Sequence, residues 1–362
     1  MNALVPEDAN SCPVCREVLA RSTLYERWLV AENFGDTATL QAAATARGFC
    51  SAHARRMLEA DPEIAGPIAR FVLHALSATL ADQRHDRRGY RDALEPQALC
   101  PWCASEREAL EYAMNGEKRR GAALCPPHER AATVLERHRT LDTEPPFRPG
   151  QGLDPPGAPN AQLPAAYWWS PAIDILWKEL RSSCCACSAA RAASRQREAF
   201  LRSGPQANEH WDVPTLCIAH YVALGAPDEP AYRRTPDAIP RTCDWCLAME
   251  HAAERAEELF AIAYRDANFR LAYAAVPGLC IPHAANVAHR IDSRARGDLL
   301  TAISVRVDGM EWELEETARR RSWQMRDQGA FPGSADVSHR AWWLIAGGMK
   351  RGTRRDGMHR RE

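Results

Sequence analysis

Four copies of one cysteine pattern constrain the fold of this 362-residue chain more than any other feature of its sequence. Each copy has a Cys-x-x-Cys pair that is followed, tens of residues later, by a Cys-x-x-His pair. Two such side chains at a turn or a helix start can face one ion, so each pair supplies half of a tetrahedral shell. The sequence therefore predicts four metal sites that close helical hairpins, with the following ligands: Cys12, Cys15, Cys50 and His53; Cys100, Cys103, Cys125 and His128; Cys184, Cys187, Cys217 and His220; Cys243, Cys246, Cys280 and His283.

Metal binding explains the cysteine content better than disulfides do. The amino terminus has no signal-peptide pattern, so the expected compartment is the cytoplasm, where disulfides are rare. The pattern uses all but one of the 13 cysteines, and an odd number cannot all pair as disulfides. The remaining one is Cys185. We assign Cys184 to the third site, because a ligating Cys185 would leave a C-x-C spacing that the other copies lack.

The ligand set favours zinc and leaves iron open. Three thiolates and one neutral imidazole form the closed, four-coordinate shell of structural zinc, which would give up to four ions per chain. Iron–sulfur clusters are also held by four side chains, mostly cysteine, and are the alternative at the same sites. The sequence has neither the closely spaced cysteines of bacterial ferredoxins nor a C-x-x-C-H motif for attached haem.

Proline indicates where the ligand-bearing helices begin. Pro13, Pro101 and Pro126 each follow directly on the first cysteine of a pair, and proline is favoured at the first position of a helix. The cysteines should therefore lie at helix amino termini. There, the free backbone N–H groups and the positive end of the helix dipole stabilise a thiolate.

A segment rich in proline and glycine divides the chain. The sequence on either side lacks the period-two alternation of strands, so the predicted fold is mostly α, with helical hairpins clasped by metal sites. We expect two duplicated units and a tail. The predicted divisions are residues 1–139, a helical unit with metal sites one and two; 140–166, the Pro/Gly-rich linker; 167–328, a helical unit with sites three and four; and 329–362, a basic carboxy-terminal tail that contains tryptophan.

Two long helices are predicted from apolar residues at helical spacing, over residues 62–85 and 284–326. His74 falls on the apolar face of the first helix and is expected to be a core histidine. His251 and His289 are expected to lie on helix surfaces.

A short apolar group precedes the basic end of the chain. It consists of Trp342, Trp343, Leu344 and Ile345, and we expect it, with the basic tail, to offer a surface to a protein partner.

Charge and motifs limit the other functions. The chain has 46 basic and 47 acidic residues, so nucleic acid is an unlikely partner despite the run from Arg319 to Arg321. No stretch of eighteen apolar residues predicts a membrane span. No known catalytic motif is present, and we expect no catalytic residue and no cofactor other than metal.

The motifs CPVC with RGFCSAH, and CDWC with PGLCIPH, resemble an uncharacterised family of small helical bacterial proteins. That family carries C-P-x-C and G-F-C-x-x-H in two successive units and is presumed to bind metal. The resemblance covers residues 12–85 and 243–315 best, and implies two units with two metal sites each.

Three functions remain after these observations. The first is a non-catalytic, zinc-clasped helical scaffold or accessory subunit that docks onto protein partners. The second is an iron–sulfur subunit that transfers electrons in a redox complex. The third, which the charge balance disfavours, is a zinc protein that binds nucleic acid.

Overall fold

The structure is a computed structural model that describes residues 12–33, 35–82, 93–120, 171–180, 183–202, 244–322, 324–325, 329–330 and 334–347. Over these ranges it contains helices and no strand, so the predicted mostly-α fold is confirmed. The α-helices are α1 (Pro13–Trp28), α2 (Thr37–Thr45), α3 (Ser51–Ala60), α4 (Pro62–Asp82), α5 (Pro101–Arg120), α6 (Pro171–Leu180), α7 (Cys185–Arg202), α8 (Asp244–Ala263), α9 (Ala267–Tyr273), α10 (Ile281–Ala288), α11 (Ser293–Arg321) and α12 (Val337–Ala346). A π-helical turn, Leu29–Asn33, extends α1, and a 3-10 turn, Ser334–Asp336, precedes α12.

Helices α4 and α11 pack against each other. The helix predicted over 62–85 is confirmed as α4, whose apolar side chains Ile68, Val72, Leu76 and Leu80 are buried. The helix predicted over 284–326 is wrong as one element. It is divided into α10 and α11, because Asp292 turns the backbone and its carboxylate caps the start of α11 by accepting from Ala295 N.

The predicted core position of His74 is wrong. Its side chain is exposed and its Nδ1 lies 2.7 Å from Glu311 Oε1, so it joins α4 to α11 at the surface. The buried stripe of α4 passes through the neighbouring Leu73 instead. His251 lies on the surface of α8, as predicted, and His289 is exposed but follows α10 as its C-cap.

Two antiparallel helix pairs carry the cysteine motifs. In the first pair, α1 packs on α5, and Trp102 Nε1 near the start of α5 donates to Ser22 Oγ, 2.9 Å away. In the second pair, α7 packs on α8, and Trp245 Nε1 near the start of α8 donates to Ser194 Oγ, 2.8 Å away. Each tryptophan stands two residues after the first cysteine of its motif and each serine ten residues after one. The two pairs therefore have the same register, and duplication itself stays a prediction.

One hydrophobic core contains residues from both predicted units, among them Leu73 of α4 and Leu299 of α11. The carboxy-terminal helix α12 is part of it, because Trp342, Trp343, Leu344 and Ile345 are at most 5% exposed. Trp342 Nε1 also donates to the carbonyl of Ala65, 2.9 Å away. These four side chains pack inside the chain. The basic tail that follows them lies outside the described residues, so the expected partner surface stays a prediction.

Helix α4 alone among the described helices has the length and apolarity of a membrane span, over Pro62–Ala81. Its buried face packs on α2, α11 and α12. The core helix of a soluble protein can have the same length and apolarity, so this helix alone is weak evidence for a membrane span.

Candidate metal centres

The structure brings eight of the predicted ligands into two groups of four, each with all ligand atoms within 4.8 Å of one another. Both groups join motifs that the sequence analysis had placed in different sites, so that pairing is wrong for these residues. Site A consists of Cys50, His53, Cys100 and Cys103, and site B consists of Cys184, Cys187, Cys280 and His283.

Helix length explains the changed pairing. Helix α1 has 16 residues and is about 24 Å long at 1.5 Å per residue, so its start lies far from its end. The chain then turns through short α2 and reaches Cys50 near the end of α1. Because α5 runs antiparallel to α1, its own start lies there as well, with Arg21 Nε donating to Ser105 Oγ over 3.2 Å. Cys50 therefore meets Cys100 and Cys103, whereas Cys12 packs near Met114 at the far end of α5.

Site A has the spacing of a four-coordinate shell. His53 Nδ1 lies 3.3 Å from Cys50 Sγ, 3.3 Å from Cys103 Sγ and 3.6 Å from Cys100 Sγ. Cys50 Sγ and Cys103 Sγ are 3.7 Å apart. All three cysteines are partly exposed, so this site lies close to solvent.

The side chains around site A fix its histidine ring. The rings of Trp102 and His53 stack at 4.7 Å with an interplanar angle of 8°. Trp102 is held by its bond to Ser22, and Ser22 also accepts from Arg56 Nη1 over 2.7 Å and donates to Glu106. The guanidinium of Arg56 lies over the ring of the same tryptophan, 4.8 Å from the ring centroid. Ser22 thus connects three residues around the candidate metal ligand.

Site B has the same spacing in a more buried environment. His283 Nδ1 lies 3.3 Å from Cys184 Sγ and Cys187 Sγ and 3.0 Å from Cys280 Sγ. Cys280 Sγ is 3.7 Å from each of the other two sulfur atoms. The three cysteines are at most 3% exposed. Gly347, just after α12, also contacts this site, since a Cβ there would lie 2.8 Å from Cys280 Sγ.

The predicted position of the cysteines at helix starts is confirmed where the structure describes them. Cys12, Cys50 and Cys280 are the N-caps of α1, α3 and α10, and Cys100 and Cys184 directly precede α5 and α7. Free N–H groups at these ends stabilise thiolates, which is the form that binds metal. The turns into α3 and α10 use Gly48 and Gly278, with φ of 101° and 73°, a conformation that glycine adopts without strain.

A glutamate lies beside the outer nitrogen of each histidine. His53 Nε2 is 3.2 Å from Glu106 Oε1, and His283 Nε2 is 3.9 Å from Glu257 Oε1. Burial raises the pKa of Glu106, but hydrogen bonds with His53 and Ser22 outweigh it and the pKa is lowered. Burial of Glu257 raises its pKa, and a bond from Asn286 only partly offsets this.

The histidine and thiols titrate as a linked set in the absence of an ion. Burial disfavours charged His53, but hydrogen bonds with Cys100, Cys50 and Glu106 raise its pKa to about 11. Bonds from Cys100 and Cys103 lower the pKa of Cys50. Hydrogen bonds with Cys100 and Cys50 raise the pKa of Cys103. Metal ligation requires neutral imidazole and thiolates, so an ion that binds site A would displace protons from this set.

At site B the structure decides which of the adjacent residues Cys184 and Cys185 is a candidate ligand. Cys184 belongs to the ligand group and Cys185 does not. Cys185 is nevertheless 3% exposed, and its burial raises the pKa of its thiol well above the usual value. It is a buried neighbour of the site, at the first position of α7.

The remaining predicted ligands are not tested by the structure. The side chain of Cys12 is described and buried. The others lie outside the described residues or carry side chains that the structure does not describe, and their ligation stays a prediction: Cys15, Cys125, His128, Cys217, His220, Cys243 and Cys246.

Sequence reasoning missed the residues that support the histidines. Glu106 stands three residues after Cys103, a spacing that places both on one helical face, and this signal could have identified it. Glu257 lies on α8, whose own cysteine motif contributes no ligand to site B, and no local sequence pattern connects Glu257 with His283. In the arginine run of α11, Arg319 and Arg320 are paired within the helix, because both bind Glu316, with closest distances of 2.7 and 2.6 Å.

Comparison of the chain with protein-family models, with curated proteins and with solved structures found no match.

Proposed function

We propose that this protein is a helical scaffold in which zinc ions clasp helix ends and thereby hold a surface for protein partners. The observation that carries the proposal is the meeting of three cysteines and one histidine at each of two places, with all four ligand atoms within 4.8 Å. The ligands of each site come from segments far apart in sequence. An ion there would tie α3 to α5 at site A, and α7 to α10 at site B.

The distances between ligand atoms favour a single ion over a cluster. In a tetrahedral shell with Zn–S bonds of about 2.3 Å, the sulfur atoms lie about 3.8 Å apart. The sulfur atoms of sites A and B are 3.7 Å apart where they contact. An iron–sulfur cluster distributes its four ligands over two or more irons, so ligands on different irons lie farther apart than the 4.8 Å that encloses all four ligand atoms here.

The ligand set favours a structural role. Four protein ligands complete the shell of zinc and leave no position for water or substrate, in contrast to catalytic zinc with three protein ligands. Binding energy at such sites stabilises the fold directly, because the unfolded chain does not preform the site.

Metal analysis of natively purified protein tests this proposal. We expect colourless protein that contains zinc, and loss of one ion in each of the variants Cys100→Ser and Cys184→Ser. Glu108→Ala, an exposed change on α5, is the control that should keep every ion. Brown protein with iron and acid-labile sulfide would instead establish the electron-transfer alternative and refute the scaffold.

We also propose four ions per chain, with the motifs paired differently from the sequence expectation. The pairs α1–α5 and α7–α8 share one register, so α1 corresponds to α7 and α5 corresponds to α8. Site A lies at the start of α5, and the corresponding position is the start of α8. Site B lies at the start of α7, and the corresponding position is the start of α1; the starts of α8 and α1 carry the two remaining Cys-x-x-Cys motifs. The Cys-x-x-His motifs left in the sequence would complete them, so that the proposed third and fourth ligand sets are Cys12, Cys15, Cys125 and His128, and Cys217, His220, Cys243 and Cys246.

Metal counts in single and double variants test the pairing. If Cys12 and Cys125 bind the same ion, Cys12→Ser, Cys125→Ser and the double variant each lose one ion. If Cys12 belongs with Cys50, the Cys12→Ser/Cys125→Ser variant loses two ions, and the proposed pairing is refuted. Cys50→Ser/Cys100→Ser is the matched control from site A, and should lose one.

The closed shells support a protein partner, because they leave the outer surface rather than the metal as the functional part. Binding should not depend on Trp342 or its three apolar neighbours, since they are buried. A partner that co-purifies with native protein and dissociates after chelation of zinc would support this part, and a chain that purifies alone with its zinc bound would count against it.

A further inference from the structure

We propose that Glu106 and Glu257 are positioning residues that hold the imidazoles of His53 and His283 with Nδ1 towards the metal ion. The inference deepens the proposed zinc scaffold and rests on it. It assigns a role to two carboxylates that contribute no ligand atom to either site.

The direction of the ring nitrogens at site A carries the inference. Nδ1 of His53 faces the three sulfur atoms, and Nε2 faces Glu106 Oε1 at 3.2 Å. A neutral imidazole has one N–H donor and one lone pair. A carboxylate at Nε2 favours the proton there and leaves the lone pair of Nδ1 for the ion, which is the carboxylate–histidine–metal arrangement of zinc sites.

Glu106 is itself fixed by its neighbours. Ser22 donates to the same Oε1, and Ser22 is anchored in turn by donors from Trp102 and Arg56. The indole of Trp102 sets the plane of the His53 ring, and Glu106 sets its rotation within that plane. Together these contacts leave the imidazole one orientation.

Site B reaches a similar arrangement from a different position. Glu106 is on α5, the helix that bears two ligands of site A, whereas Glu257 is on α8, which bears none of site B. Glu257 is 1% exposed, and its Oε1 accepts from Asn286 Nδ2 over 2.8 Å. That oxygen lies 3.9 Å from His283 Nε2, so the contact is electrostatic rather than a direct hydrogen bond.

The two glutamates reach their histidines from different helices, so their placement is not explained by the shared register of the two helix pairs. One zinc ion with three thiolates keeps a net negative charge, so it repels a buried carboxylate, and a carboxylate in that place needs a compensating contact. Arg290 Nη2, 3.7 Å from Glu257 Oε2, offsets part of this charge. The imidazole N–H of His283, 3.9 Å from Glu257 Oε1, supplies the other favourable electrostatic contact, and it is oriented towards the carboxylate only while Nδ1 faces the ion.

Zinc affinity in variants of Glu106 and Glu257 tests the inference. We expect Glu106→Ala to weaken zinc binding at site A by about 10- to 100-fold in competition with a chelator. Glu106→Gln should recover part of the loss, because an amide oxygen still accepts from Nε2–H. Glu108→Ala is the exposed control on α5 for site A. At site B, the zinc affinity of Glu257→Gln, which keeps a bond to Asn286, is compared with that of the exposed control Glu254→Ala.

Nitrogen-15 NMR separates positioning from a general effect on folding. In the zinc-bound protein we expect the proton of His53 on Nε2, with a low-field, slowly exchanging resonance. This resonance should move upfield and exchange faster in Glu106→Ala, and less so in Glu106→Gln. A proton on Nδ1, or equal zinc affinity in Glu106→Ala and Glu108→Ala, would overturn the role of the carboxylate. Absence of zinc from the wild-type sites would overturn the scaffold proposal as well, so the two failures are distinguishable.

Discussion

Replacement of Gly347 by alanine should weaken site B although Gly347 is not a ligand. This glycine ends α12 with φ 64° and ψ −169°, a region that is almost restricted to glycine. An added Cβ would lie 2.8 Å from Cys280 Sγ and 3.2 Å from Cys187 Sγ. The substitution therefore combines backbone strain with a clash at two ligands of one ion.

The magnitude follows from these two costs. The backbone strain is worth about 1–3 kcal/mol. Forcing a methyl group into a packed site costs about 1–3 kcal/mol more. We expect Gly347→Ala to lower the free energy of unfolding by about 2–6 kcal/mol, the sum of the two. If the clash falls wholly on the ligands, zinc affinity of site B falls by about 5- to 150-fold.

Two other glycines separate the two costs. Gly329 also has a positive φ, 67°, but nothing within 4 Å of an added Cβ, so Gly329→Ala should lose only about 1–2 kcal/mol. Gly297, in the second turn of α11, has neither constraint, and Gly297→Ala should gain about 0.5–1 kcal/mol.

The assays are chemical denaturation of the three variants and chelator competition for the zinc of each site. The reasoning requires Gly347→Ala to be the least stable of the three and to lose affinity at site B alone. A variant that matches Gly329→Ala in stability and retains site B affinity would refute it, because the clash with the sulfur atoms would then have no effect.

Three further predictions use the surroundings of the sites. A thiol-alkylating reagent should modify Cys50, Cys100 and Cys103 before the buried cysteines of site B, as followed by mass spectrometry with time; faster modification of Cys280 would contradict the difference in burial. Ser22→Ala should lower the free energy of unfolding by about 1–3 kcal/mol in denaturation experiments, because it leaves the buried N–H of Trp102 without its acceptor, and an unchanged midpoint would show that another acceptor replaces it. Trp342→Ala should cost about 3–5 kcal/mol by the same measurement, since it empties a fully buried position in the core, whereas exposed Trp312→Ala serves as control and an equal loss in both would contradict the packing of α12.

The local chemistry of the candidate sites could be predicted from the sequence. Cysteine and histidine at a spacing of three residues, with proline after the first cysteine, specified ligand types and helix starts, because these depend on neighbours in the chain. The same holds for α4, whose apolar spacing gave its limits closely. The position of His74 was missed because a periodic pattern does not resolve adjacent residues at the edge of a buried face.

The partners of each motif were decided by the tertiary structure. Each Cys-x-x-Cys pair was assigned to the next Cys-x-x-His pair along the chain, as a simple hairpin would require. Helix α1, between Cys12 and Cys50, is too long for these two cysteines to share an ion. Its antiparallel neighbour α5 brings Cys100 and Cys103 to the end of α1, where Cys50 lies. The burial of Trp342 and the contact of Gly347 with site B likewise come from the packing of α12 on distant helices. The sequence by itself determined which residues can bind metal and where their helices begin, because those properties are local. Only the tertiary structure decided which motifs share an ion, because that depends on the lengths and directions of helices that lie between them.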